Sequence, residues 1–455
     1  MSVQPTLPTT ETTCGDPLPV LGADVTVPLV TGGEVPYAAL DYAASAPVLR
    51  SVWDDVAAYV PYYGSVHRGA GHLSQLSTEL FERSRQTVKE FLGCRGDDEV
   101  VFTRSTTDSL NMMAATLPAG TRVYVFETEH HAGLLPWRDH ELTLLPAPGS
   151  RQEAVEAVAE ALTGHDPLLP GLVCVTGASN VTGELWPVAE ITEVAHAAGV
   201  RVVLDAAQLV PHRPVDIGAL GVDYVAFSGH KMYAPFGAGV LAGRPDWLRE
   251  AEPYLWGGGA SRRVVHGADG LSVDWQQGAA RHEAGSPNVV GVHALASACR
   301  ALRKEGFESL AAREEALLQR TLAGLAAIPQ VEVLSLLGRS AARVAVVSFV
   351  VDGWNSSHLA AALSAEHGIG VRDGMFCAHP LVRGLLGNAP DRPDECGAPQ
   401  PLGPGERPVN AVRASFGAGT PVEHLDRMVA AIAQLTRDGA RLTYRTEAGR
   451  CVPVR

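Results

Sequence analysis

From about Leu18 to about Leu295, short apolar, β-branched runs alternate with stretches whose apolar residues recur every three or four positions. The runs are VVFTR (100–104), RVYVFE (122–127), LVCVTG (172–177), RVVLDAA (201–207) and DYVAFSGH (223–230). Between them EAVEAVAEAL (153–162) and PVAEITEVAHAAG (187–199) have helical spacing, with glycine or another turn residue at most junctions. Strands alternating with helices of this length predict an α/β fold whose mostly parallel sheet is covered on both faces. Further on the pattern changes. Residues 290–327 read as helix, 342–353 as a strand, and 356–368 and 421–435 as two more helices, which predicts a smaller α+β C-terminal domain. The stretch 384–410 is crowded with Pro and Gly and reads as a long surface loop.

Length and composition sharpen this picture. The chain has 455 residues, 46% of them apolar, more than one core of roughly 250–300 residues takes up, so two domains are expected. A formal charge of −14 without any Lys/Arg cluster argues against nucleic-acid and membrane partners. Residues 1–17 are Thr- and Pro-rich without a basic start or an apolar stretch, and read as a disordered tail rather than a signal peptide. Nothing approaches the roughly 18 apolar residues of a membrane span. Seven cysteines at irregular spacing, without a C-x-x-C pair, predict neither a disulfide framework nor a zinc site, and fit the cytoplasm.

The chemistry begins with S-G-H-K (228–231), which follows an apolar run. A lysine ending a buried strand is costly unless it is paired, neutral or covalently linked. An imine with a carbonyl cofactor removes that cost and makes Lys231 a base once substrate displaces it. The commoner fate of a lysine is an exposed loop. Asp205 shifts the balance: it ends the preceding strand, at the edge where α/β sheets bind ligands, and suits a pyridinium nitrogen. Alone it would read as a helix cap; the pair is harder to ascribe to chance.

Together with LDYAASAP (40–47), SVHRGAGHLS (65–74), RSTTDSLN (104–111), EHHAGLLPW (129–137), SNVTG (179–183), DAAQ (205–208), SGHKMYAPFGAGVL (228–241), WGGG (256–259), RHEAGSPN (281–288), VRDGMFCAHPLV (371–382) and VRASF (412–416), these motifs make the chain resemble class V, fold-type-I pyridoxal-phosphate enzymes. Within that class it is most similar to Suf-type cysteine desulfurases and selenocysteine lyases. The resemblance implies an N-terminal segment (18–45) packed on the small domain, a large cofactor domain (46–295) and a small domain (296–455). It places pyridoxal 5'-phosphate on Lys231, with Asp205 at the ring nitrogen and His130 stacked on the ring. Thr106, Thr107, Ser228 and His230 match phosphate contacts; Asn180 and Gln208 match side chains near the phenolic oxygen. Gly258 and Ser286 match positions that reach the phosphate from a neighbouring subunit, implying a homodimer. Arg413 matches the grip on the substrate carboxylate. His67, Arg68 and Arg372 match polar residues of the active-site entrance.

Cys377 aligns with the nucleophile that takes sulfur from cysteine as a persulfide and releases alanine; its reactivity calls for a lowered pKa, for which Arg372 and His379 are the local candidates. The bland alternative is an ordinary small apolar thiol. The family's usual histidines before this cysteine are here Met375 and Phe376; Gly133 replaces an Asn, Gly417–Thr420 replaces Tyr-Asn-Thr, and the 384–410 loop, with Cys396, is longer. The leading expectation is a cysteine desulfurase-like C–S or C–Se lyase, acting on cysteine or an analogue and passing sulfur to an acceptor protein. Its rivals are a class V aminotransferase, epimerase or β/γ-substituting enzyme in which Cys377 is a bystander, and a non-catalytic protein on the same fold.

Overall fold

The computed structural model describes residues 15–67, 69–388 and 409–454. Arg68, Cys14 and Cys396, most of the tail and most of the 384–410 stretch lie outside the described residues. The predicted runs form strands β1 (Glu99–Thr103), β2 (Arg122–Phe126), β4 (Gly171–Thr176), β5 (Arg201–Asp205) and β6 (Tyr224–Ser228). Two more, β3 (Glu141–Leu145) and β7 (Gly239–Gly243), were not legible as strands: the first is largely exposed, and the second reads as a glycine-rich turn. The sheet order is β1-β7-β6-β5-β4-β2-β3, parallel except for β7, which runs antiparallel to both of its neighbours.

Side chains alternate across this sheet as pleating requires. Phe102, Tyr124, Val173, Leu204 and Phe227 enter one core, while Val101, Val123, Cys174, Val203 and Ala226 enter another. Helix α1 (Thr106–Ala115) leaves the end of β1, its N-cap Ser105 accepting from the Asp108 N–H. Gly239 permits the crowding there: a β-carbon on it would stand 2.6 Å from the Ser105 nitrogen.

The helical stretch after residue 288 is two helices, α2 (Val289–Glu305) and α3 (Phe307–Ala326), broken at Gly306, whose φ of 87° suits glycine. Strands β8 (Val331–Val333), β9 (Val346–Val351), β10 (Arg372–Gly374) and β11 (Ala411–Ser415) form a second sheet in the order β8-β9-β11-β10. It buries Phe349 and Val412 with Leu359, Met428 and Ile432 from helices α4 (Ser356–His367) and α5 (Val422–Asp438). The N-terminal segment joins the two regions. Ala38 and Leu40 sit in this second core, beside a parallel pairing of Ala38–Ala39 with Ile369–Gly370, whereas Tyr42 and Ala43 sit in the first.

Cys94, Cys174, Cys299 and Cys377 are free thiols. The expectation of no disulfide needs one correction, since Cys451 is disulfide-bonded. No helix among the described residues is long and apolar enough to cross a membrane.

Candidate active site

Three adjacent parallel strands end at one place. Register pairs Thr176 with Asp205 and Asp205 with Ala226, so the C-terminal ends of β4, β5 and β6 open into a common crevice. A cavity of about 280 Å³ lies there. Lys231 closes a single 3₁₀ turn, Gly229–Lys231, directly after β6, rather than ending the strand itself. It is half-buried and lines the cavity. Desolvation pulls its amine down to about 8, opposed by the Asp205 carboxylate and assisted by the Arg413 cation. A neutral fraction of the amine therefore exists near physiological pH. Asp205 is 5% exposed and accepts the Ala207 N–H at 2.9 Å across a turn, and no helix starts there for it to cap. Burial pushes its carboxyl up, while that N–H and Lys231 hold it down.

His130 caps the short helix His131–Leu134, its Nδ1 accepting the Ala132 N–H at 3.0 Å. That bond leaves the ring proton on Nε2. Burial, then Lys231 and His131, drive its pKa down to about 3, so the ring is neutral. In the same cavity the Thr106 N–H donates to Ser228 Oγ at 2.6 Å and the two hydroxyls lie 2.7 Å apart. Thr107 lines the same helix start, and His230 Nδ1 meets the Ser45 hydroxyl at 3.0 Å. Hydroxyls and free N–H groups at a helix N-terminus form an anion cradle. Gln208 lines the cavity while its Nε2 donates to the Ala43 carbonyl at 2.8 Å.

The second sheet supplies the remaining wall. Arg413 on β11 is 4% exposed; it pairs with Asp41 at 2.9 Å and donates to the Asn180 carbonyl at 3.0 Å, leaving its Nε–H without a partner. Arg372, Phe376 and Cys377 also line the cavity. Asn180 Nδ2 donates to the Phe376 carbonyl at 2.8 Å. His379, a candidate neighbour for the thiol, instead packs its ring on His131, with centroids 4.6 Å apart.

Not every predicted site residue meets here. His67 lies on a separate depression of about 560 Å³, paired with Glu82 at 2.9 Å. Gly258 and Ser286 are exposed and do not line the first cavity; their neighbours Gly259, Gly285 and Pro287 line the depression that holds His67.

One carboxyl was overlooked. Glu129 is 1% exposed; its Oε1 accepts the Thr176 N–H at 2.9 Å and its Oε2 has no partner. Burial, then the charge of Asp205, pushes its carboxyl well above the usual carboxylate range. The signal was present in E-H-H (129–131), where only the second residue received a role. Asp41, the partner of Arg413, was passed over in L-D-Y (40–42) in the same way.

A model of the class-V aminotransferase family matches residues 38–428. The chain belongs to that family. It is 33% identical over 418 residues to a probable cysteine desulfurase of Vibrio cholerae, covering 89% of this chain and 94% of that one. It is 34% identical over 355 residues to a cysteine desulfurase of Synechococcus elongatus, covering 75% of this chain but only 55% of that longer protein. The apo structure of a cysteine desulfurase from Thermococcus onnurineus superposes with a TM-score of 0.75 at 30% identity, covering 88% and 95% of the two chains. Enzymes of this family depend on pyridoxal phosphate. The cavity suits that cofactor: a desolvated amine of lowered pKa, a buried carboxylate, a neutral imidazole and a hydroxyl-lined helix start face one space.

Proposed function

We infer that this protein is a pyridoxal-phosphate-dependent cysteine desulfurase that moves sulfur from cysteine, or an analogue, onto Cys377. The observation that carries it is that Lys231 and Cys377 line one cavity, with Arg413 buried beside both. When bound, the cofactor supplies an electron sink that stabilises negative charge at the substrate's Cα. Lys231 and Asp205 would hold its ring end, His130 would lie against the ring, and Thr106, Thr107, Ser228 and His230 would take its phosphate. The protein's own groups do the rest. Arg413 grips the substrate carboxylate and Lys231 Nζ takes the Cα proton. Cys377 Sγ accepts the sulfur: the Cβ–S bond breaks, an S–S bond forms, and a proton replaces sulfur on Cβ. The net change is cysteine plus a thiol giving alanine plus a persulfide.

We further propose that the protein works as a homodimer. The depression holding His67, beside Gly258 and Ser286, faces the cavity of the other subunit, so His67 serves that subunit rather than its own. Leu255 and Trp256, just before Gly258, are 49% and 76% exposed, as an unpaired interface would leave them. The acceptor for the sulfur docks near Arg372–Val382, where Cys377 is exposed. Sulfide and alanine release from cysteine, compared between wild type and Cys377→Ala, tests the whole reading. Loss of both products with the cofactor still bound is expected; equal rates would instead favour a class V enzyme with a bystander thiol.

A further inference from the structure

The loop that carries the thiol is held in an unfavourable shape. Phe376 and Cys377, neither a glycine, both lie in the left-handed region, at φ 52° and 54°. Something must hold them there, and three contacts do. Asn180 Nδ2 takes the Phe376 carbonyl at 2.8 Å, the His131 N–H takes the Cys377 carbonyl at 2.7 Å, and the Phe376 ring lies 4.9 Å from the Arg413 guanidinium carbon. Phe376 is 8% exposed, so the ring is enclosed rather than merely adjacent.

Resting on the desulfurase reading above, we propose that Phe376 is a positioning residue that couples the carboxylate grip of Arg413 to the placement of the Cys377 thiol. The guanidinium carbon sits over the ring, whose face attracts its charge. With Asp41 and the Asn180 carbonyl taking two of its edges, the cation's plane is fixed, and a carboxylate must enter in that plane. The peptide unit that joins the ring to Cys377 transmits the position. Without the ring the guanidinium can tilt, and residues 375–378 can relax toward ordinary backbone angles, carrying Sγ away from the substrate sulfur. A histidine here would set a second titratable group against Arg413; phenylalanine keeps the contact free of proton competition.

The test uses the holoenzyme with Phe376→Ala, Phe376→Leu and Phe376→Tyr, each checked for bound-cofactor absorbance. Two readouts are taken: KM and kcat for cysteine, and the rate at which iodoacetamide alkylates Cys377 without substrate, followed by intact mass. Phe376→Ala and Phe376→Leu are expected to raise both KM and the alkylation rate about tenfold, with Phe376→Tyr within about twofold of wild type. If Phe376→Ala leaves both values within about twofold, or Phe376→Leu restores both, the proposal is overturned. Should no form, wild type included, release alanine from cysteine, the desulfurase reading fails, and the alkylation rates alone still decide whether Phe376 positions the thiol.

Discussion

The floor of the cavity and the loop bearing the thiol hold their groups by opposite means. Asp205, Ser228 and Lys231 are set by a sheet whose strand ends are locked in register, and the backbone there is unstrained apart from the turn that follows. Phe376 and Cys377 are set against their own backbone preference by hydrogen bonds and one ring contact reaching across from other elements. The first arrangement suits a cofactor that stays. The second suits the role proposed for Cys377, with substrate on one side and an acceptor on the other, because a strained loop held by few contacts can be released cheaply.

The comparison can be broken most sharply by chemistry. Lys231→Ala should cost at least about 10³-fold in activity and remove the cofactor's covalent attachment, while Cys377→Ala stops sulfur release yet retains the cofactor. Steady-state kinetics with visible spectra separates them; loss of the cofactor from Cys377→Ala would show that the two regions are not independent. Next comes the pH dependence of stability in cofactor-free protein. The Lys231 amine is depressed to about 8 in the fold, so its burial penalty is complete below that pH and fades as pH rises toward the ordinary lysine value. Lys231→Met should therefore stabilise by up to about 3 kcal/mol at pH 7 and by nothing near pH 10.5, measured by urea unfolding. A gain that does not shrink with pH would place the amine in water.

Smaller effects compare the same substitution in the two regions. Gly239→Ala drives a β-carbon into the backbone at Ser105 and should cost about 2–3 kcal/mol, whereas Gly374→Ala meets no atom within 4 Å and should cost only the strain of its positive φ, about 1 kcal/mol. Equal costs would remove the distinction between a packed floor and the open strand end that leads into the thiol loop. Smallest of all, Cys377→Gly should exceed Cys377→Ala in stability by about 1 kcal/mol, read as a shift in melting temperature, because glycine adopts the observed φ of 54° without penalty.

Much of the floor was legible in the sequence. A buried parallel strand announces itself as a continuous apolar run, and Asp205 and Lys231 stand where two such runs stop. Strands β3 and β7 escaped because one is exposed and the other substitutes glycine at both ends for the usual β-branched residues. The site at the loop was legible only as Cys377 in a matching motif. No periodicity reports that two consecutive non-glycine residues take a positive φ, that Asn180 spends its amide on the Phe376 carbonyl, or that Asp41 pairs with an arginine far along the chain. His67 shows the same limit: a motif carries identity, but not which of two depressions a side chain faces.

The path of the first described residues bears on synthesis. Ala38 and Leu40 leave the ribosome long before the partners that enclose them, Ile369–Gly370 and β11, are made. Until then an apolar edge stays open and the Arg413 partner, Asp41, waits unpaired. Contacts so distant in sequence close slowly. A ribosome stalled short of residue 411 thus holds a large sheet able to pack by itself beside a short sticky segment with nothing to cover it, the kind of surface that chaperones and proteases inspect.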